Sequence, residues 1–133
     1  MITVIARWDH TQLPSDTEWA MWNQMKGAFC IDRLVFVPAL LNLGGIEEFD
    51  TMEEALASST GQRVFLEPTG DKVVSEIPSG DIVVVVGNTG ENNLQHAAQG
   101  ETYRIEVHGR FGHLYGVNAA AIALYEGYVN GLN

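Results

Sequence analysis

The sequence predicts an α/β domain: a mostly parallel sheet flanked by helices. Three observations carry this. Strand-like and helix-like segments alternate along the chain. The clearest strand, "DIVVVVG" (81–87), is apolar without alternation, as a parallel strand covered on both faces must be. The 133 residues, 46% of them hydrophobic, suffice for one domain with a real core.

Taken in order, "ITVIARW" (2–8) reads as a first strand. "SDTEWAMWNQMKGAF" reads as a helix capped by Ser15 or Asp16, with Glu18 completing a capping box in the first case. Trp19, Trp22 and Met25 recur at helical spacing, a stripe that reads as core. "DRLVFVP" (32–38) is a second strand stopped by Pro38, and "ALLNLGGIEEF" is irregular. "DTMEEALASS" (50–59) is a short helix capped by Asp50 or Thr51, with Glu53 or Glu54 three residues on. "QRVFLEP" (62–68) is a third strand and "DKVVSEI" (71–77) a short extra one. After 81–87, "ENNLQHAAQ" is a short helix, "TYRIEVH" (102–108) a fifth strand, and a last helix runs from about Tyr115 to Asn130.

Charge and composition narrow the partners. Seventeen acids against seven bases give a formal charge of −10, and the bases are scattered. Nucleic-acid backbones need a basic surface, so any RNA must bind weakly, by a local patch or with a partner's help. No apolar run reaches a membrane span, and the start "MITVIARWDHT" lacks the regions of a signal peptide, so a soluble, cytoplasmic chain is expected. Cys30 is the single cysteine, which excludes an internal disulfide; within "GAFCIDRL" it reads as a buried, inert thiol. Glu47, Glu48, Glu53 and Glu54 read as a solvated acidic face, and Asp9 and His10 as loop residues. His108 and His113 have no third ligand in view, so no metal site is expected.

Ligands of parallel sheets sit beyond the carboxyl ends of the strands. The segments to inspect are 66–70, 87–93 and 105–113, each rich in glycine or turn residues. "VVVVGNTGENNLQ" is a buried strand, a glycine loop and a helix, a shape suited to a ligand held by backbone N–H groups. It lacks the phosphate-loop and dinucleotide spacings, and a plain strand-to-helix turn explains it equally well.

The order "GNTGENNLQ…YRIEV…GHLYGVNAAAIALYE" resembles the C-terminal half of SPOUT-class RNA methyltransferases, specifically the SpoU-type 2′-O-ribose methyltransferases. Members carry a strand ending in GPEG or GSEG, an I-P-M strand end, and a final SLNVSVAAAIALYE. Here "AAAIALYE" (119–126) matches that ending residue for residue, and "AFCIDRLVFVP" resembles the family's AFGVDRLILV. The resemblance spans about Asp16 to Gly127. It implies a C-terminal trefoil knot, the tail being threaded through an earlier loop, an exception to unknotted folding. Gly116, Ala119, Ala120, Ala121 and Ala123 would then be small so that backbone can approach; tight packing on a sheet is the alternative.

The resemblance also implies S-adenosylmethionine bound largely by main-chain atoms, at Leu66, Glu67 and Gly70, at Gly87, Asn88 and Gly90, at Ile105 and Val107, and at Leu114 and Gly116. Glu67 either accepts bonds from the two ribose hydroxyls or is an exposed acid at a strand end. A homodimer is implied as well, through the first and last helices, with Trp19, Trp22, Tyr125 and Tyr128 as aromatic candidates for its core.

The family's catalytic pattern is not retained. Its first motif, N-x-G-x-x-x-R, aligns so that Glu18 stands at the asparagine, Ala20 at the glycine and Gln24 at the arginine. A neutral Gln24 cannot stabilise an alkoxide as a guanidinium does. The second motif's glutamate falls at Thr89, and SLNVS becomes "HLYGV", with His113, Tyr115 and Val117 at the polar positions. Gln24, His113 and Tyr115 are thus the catalytic positions with altered types. Two readings stand: a methyltransferase using new groups, with His113 as base and Tyr115 as donor, or a degenerate relative that binds cofactor, RNA or a protein partner without methyl transfer.

Overall fold

A computed structural model describes residues 1–8, 14–39, 46–87, 100–109 and 114–132. Among the described residues, seven parallel strands form one sheet: β1 (Ile2–Arg7), β2 (Arg33–Val37), β3 (Glu47–Glu48), β4 (Gln62–Leu66), β5 (Lys72–Val73), β6 (Ile82–Val86) and β7 (Glu101–Arg104). Their order across the sheet is β3-β2-β1-β6-β4-β7-β5. Among the described residues the helices are α1 (Asp16–Ala28), α2 (Met52–Ala57) and α3 (Gly116–Gly131), with a 3₁₀ turn at Val74–Glu76.

Successive residues of a strand point to opposite faces, and here both faces are covered. Val4, Ala6, Leu34, Phe36, Val64, Val84 and Val86 pack with Trp22 and Met25 of α1 and Val117, Ala120, Ala123 and Leu124 of α3. Ile5, Val35, Val37, Phe65, Val83 and Val85 pack with Met52, Ala55 and Leu56 of α2. Burial on both sides is why these strands are apolar without alternation.

Both short caps are settled. Ser15 Oγ accepts from the Glu18 N–H at 3.2 Å, and Thr51 Oγ1 from the Glu54 N–H at 3.2 Å. Four expectations change. Cys30 is exposed and lies at φ +53°: it follows the α1 C-cap Phe29 in left-handed conformation, Ile31 N–H reaches back to Lys26 O at 3.1 Å, and such a turn directs its side chain outward. The 71–77 strand is only Lys72–Val73 before the 3₁₀ turn, and the 102–108 strand is only Glu101–Arg104, because β5 at the sheet edge gives β7 just two partner residues there. Within the irregular 39–49 stretch, Glu47–Glu48 pair with Val35 and Phe36 of β2. Arg33 explains it: its guanidinium holds both Glu47 carboxylate oxygens, at 2.7 and 2.9 Å, and the Ser58 carbonyl at 2.9 Å, so Glu47, exposed as expected, also clamps β3 to β2. The helix expected over 91–99 lies outside the described residues, as do Asp9 and His10.

Strand order also fixes a crossing. β7 lies between β4 and β5, so the connection 67–71 must pass over the chain of β7. It does so at Tyr103–Arg104: Glu67 N–H donates to Tyr103 O at 3.0 Å, and Arg104 Nη1 donates to the Gly70 carbonyl at 3.0 Å. Contact at Gly70 is so close that a Cβ there would sit 2.4 Å from the Tyr103 carbonyl carbon, so only glycine fits.

Candidate cofactor cleft and active site

The carboxyl edge of the sheet collects most of the singled-out residues. Leu66 ends β4 and is buried; Glu67 follows it and is only 5% exposed. The exposed-acid alternative for Glu67 therefore fails. Gly87 follows β6, and Gly116 opens α3 directly against it: a Cβ on Gly116 would lie 3.0 Å from Gly87 O and 3.3 Å from Val86 Cγ2. Ile105 follows β7 and is half-buried, while Val107 and Leu114 are exposed. Backbone thus meets backbone twice, 66–70 on 103–104 and 87 on 116, with β4 between the two strands that end there. Asn88, Gly90 and His113 lie outside the described residues.

The helices are aimed at the same edge. In a parallel sheet a crossover helix starts where the preceding strand ends and returns to where the next begins. The far end of α1 comes back to the amino edge, where Asp32 N–H donates to Ile2 O at 2.9 Å, so its first turn stands at the carboxyl edge. Likewise α3 begins at Gly87 and ends with Gly131 against Ser79. Tyr115, the N-cap residue of α3, is 69% exposed at the carboxyl edge. Gln24 is exposed in the third turn of α1, about 9 Å along the axis beyond Glu18 at 1.5 Å per residue.

No protein-family model matches this chain, and no curated protein does. Solved structures do. A structure concerned with 2-OH methylation of C/U34 on tRNA superposes with a TM-score of 0.77 at 14% identity, over 99% of this chain and 91% of its own. The A. aeolicus TrmH/SpoU tRNA modifying enzyme gives 0.78 at 17% identity, over 97% and 74%. The SpoU methyltransferase AviRb from Streptomyces viridochromogenes, solved in complex with AdoMet, gives 0.76 at 15%, over 98% of this chain and 58% of that one. This is the SpoU methyltransferase fold.

Within the SpoU fold, the aromatic residues divide between core and surface. Trp8, Trp19 and Trp22 all meet Phe36 edge-on, with centroids 5.4, 5.2 and 5.7 Å away. Trp22 is 1% exposed, so it belongs to the chain's own core and cannot form a dimer interface; the helix stripe faces β2, not solvent. Tyr125 and Tyr128 are 56% and 61% exposed and line an apolar groove of about 600 Å³ at the amino edge, shared with Phe29, Cys30, Ile82 and Leu132. Among the described residues, no three His, Cys, Asp or Glu side chains gather as metal ligands, and no helix is long and apolar enough to cross a membrane.

Two signals escaped sequence reasoning. Arg33, Arg63, Lys72 and Arg104 each bind protein groups: Glu47, the Leu56 carbonyl at 3.1 Å, Glu101 at 2.9 Å and the Gly70 carbonyl. They are joints of the fold before they are a surface for phosphate. Glu18 is the other: burial holds its carboxyl above the usual glutamate range, and contact with the Trp22 indole partly offsets this.

Proposed function

We propose that this chain is an S-adenosylmethionine-dependent RNA methyltransferase of SpoU type, acting on tRNA or rRNA with catalytic groups other than the usual arginine and asparagine. One observation carries the reading: in a SpoU fold, the glycine-pinned ends of β4, β6 and β7 and the start of α3 converge on one edge. The residues present fit the cofactor. Glu67 offers a carboxylate to ribose hydroxyls, Val107 and Leu114 offer apolar surface to a flat base, and Leu66, Gly70, Gly87, Ile105 and Gly116 offer backbone. The bound cofactor supplies an electrophilic methyl group.

The same proposal includes a threaded tail. The 67–71 connection crosses β7, which supports this: in a threaded chain the segment after Arg104 passes that bridge on its way to α3. It also includes a cytoplasmic homodimer, with Tyr125, Tyr128 and Leu132 around the amino-edge groove as the apolar contact.

The second reading, cofactor binding without methyl transfer, is favoured by Gln24: it is neutral at the aligned arginine position and stands in the third turn of α1. Calorimetry with S-adenosylmethionine and S-adenosylhomocysteine, then radiolabelled transfer to bulk tRNA and rRNA, separates the two. Binding with transfer supports the first reading; binding alone supports the second; no binding removes both as stated.

A further inference from the structure

Among the described residues, the exposed large apolar side chains fall into two groups. Met1, Tyr125, Tyr128 and Leu132 lie at the amino edge, and Val107, Leu114 and Tyr115 at the carboxyl edge. Tyr115 is the one exposed aromatic ring of the second group. Its backbone is fixed. The Tyr115 carbonyl accepts the Ala119 N–H at 3.0 Å, and the next residue, Gly116, is held so close to Gly87 that a Cβ on it would lie 3.0 Å from Gly87 O. That contact puts Tyr115 one residue from the meeting of β6 and α3 in the candidate cleft. Its side chain, by contrast, is not used by the fold. The phenol makes no cap hydrogen bond to the helix it opens, and among the described residues its ring meets no other ring. A ring held at a fixed place in water beside a cleft is surface that a ligand can cover.

We propose that the Tyr115 ring is a stacking platform for an unpaired nucleobase of the RNA substrate, which holds that nucleotide at the mouth of the cleft. This rests on the methyltransferase reading above and names the part of the RNA that is gripped. Charge selects this occupant over a stretch of phosphate backbone. The chain carries a formal −10, and Arg33, Arg63, Lys72 and Arg104 are engaged by protein groups, which leaves few cations for phosphates. Stacking needs no cation. Every nucleobase has a π face, and a base outside a helix can turn that face to an aromatic side chain. A base inside a duplex is already stacked and has no face to offer. Tyrosine suits the task because its ring is rigid and large, and only two side-chain torsions are frozen when it is covered. The ring makes this contact, so Tyr115 acts through its face rather than as a hydroxyl donor.

The test titrates the full chain, at low ionic strength, with a labelled RNA stem-loop, with the same stem closed as a blunt duplex, and with S-adenosylhomocysteine. The stem-loop should bind and the duplex should compete poorly. Tyr115→Ala should weaken stem-loop binding roughly 5- to 150-fold, the range of one stacked base, and Tyr115→Phe should restore it. Tyr115→Trp adds an exposed indole, set apart from the buried Trp8 and Trp22, whose emission the stem-loop should quench and the duplex should not. Undiminished binding by Tyr115→Ala overturns the platform. So does a Tyr115→Phe no better than Tyr115→Ala, which gives the contact to the hydroxyl, and so does a duplex that binds as well as the loop. A wild-type dimer that Tyr115→Ala turns into monomer assigns the ring to a protein interface and overturns it too. The two readings fail separately. A wild type that grips the stem-loop through Tyr115 without binding S-adenosylhomocysteine overturns the methyltransferase reading and leaves the platform; one that binds S-adenosylhomocysteine but no stem-loop overturns the platform alone; one that binds neither overturns both.

Discussion

Single atoms decide several outcomes here. Gly70 has no room for a methyl group against the Tyr103 backbone, which cannot yield as a flexible side chain does. Gly70→Ala should cost about 3 kcal/mol or more in urea unfolding, because the crossing of 67–71 over β7 must open. Cys30 is the opposite case. It holds φ +53°, a region that an L-residue enters at a cost of roughly 1–2 kcal/mol and glycine enters freely. Cys30→Gly should therefore raise stability by about 1 kcal/mol, and the wild-type thiol should react with a thiol reagent in the folded state. The lone cysteine between apolar neighbours suggested burial; nothing local shows that the helix terminates one residue earlier and turns the side chain out.

At the scale of elements, α3 shows how a helix of small residues is used. Ala120 and Ala123 are fully buried against the sheet, and Gly127 faces Ile77, Pro78 and Ile82 at 3.6–3.7 Å from where a Cβ would stand. That is ordinary contact distance, so Gly127→Ala should gain about 1 kcal/mol from helix propensity, whereas Ala123→Leu should lose about 1–3 kcal/mol by overpacking; thermal unfolding of the two variants checks both. The Arg33–Glu47 clamp joins β3 to β2, and the guanidinium holds the Glu47 carboxyl below the ordinary 4.5. Its folded pKa is depressed, so its contribution is present above pH 4.5 and is lost as pH falls through the lowered value. Glu47→Gln should flatten the stability profile over that acid range, as read by denaturant titrations at successive pH values. In the sequence, Glu47 looked like one acid among several, because its arginine lies fourteen residues away on the neighbouring strand.

For the whole molecule, charge and symmetry set the expectations. With a formal −10 and four of its bases tied to protein groups, the chain should bind RNA weakly, and with few cations to meet phosphates its affinity should fall only shallowly as salt rises. Sedimentation at micromolar concentration should show a dimer, and Tyr125→Ser with Tyr128→Ser should shift it to monomer by making the groove's rim polar; a monomeric wild type would count against the proposed interface. An experimental backbone that pulls straight from both ends would remove the threaded tail.

The fold class, the first and last helices and the run of parallel strands were determined by the sequence alone, and each helix cap was narrowed to two residues, because these depend on neighbours within a few residues: periodicity, capping side chains, uninterrupted apolar runs. The aligned ending of the chain added the SpoU resemblance. Tertiary structure decided what depends on partners far along the chain. It placed β7 between β4 and β5, buried Glu67, took Trp22 into the core, exposed Cys30 and brought the first turn of α1 to the edge where the strands end. The reason is physical: burial, close approach and shifted acidity are properties of the space around a side chain, and that space is furnished by residues a sequence window does not contain.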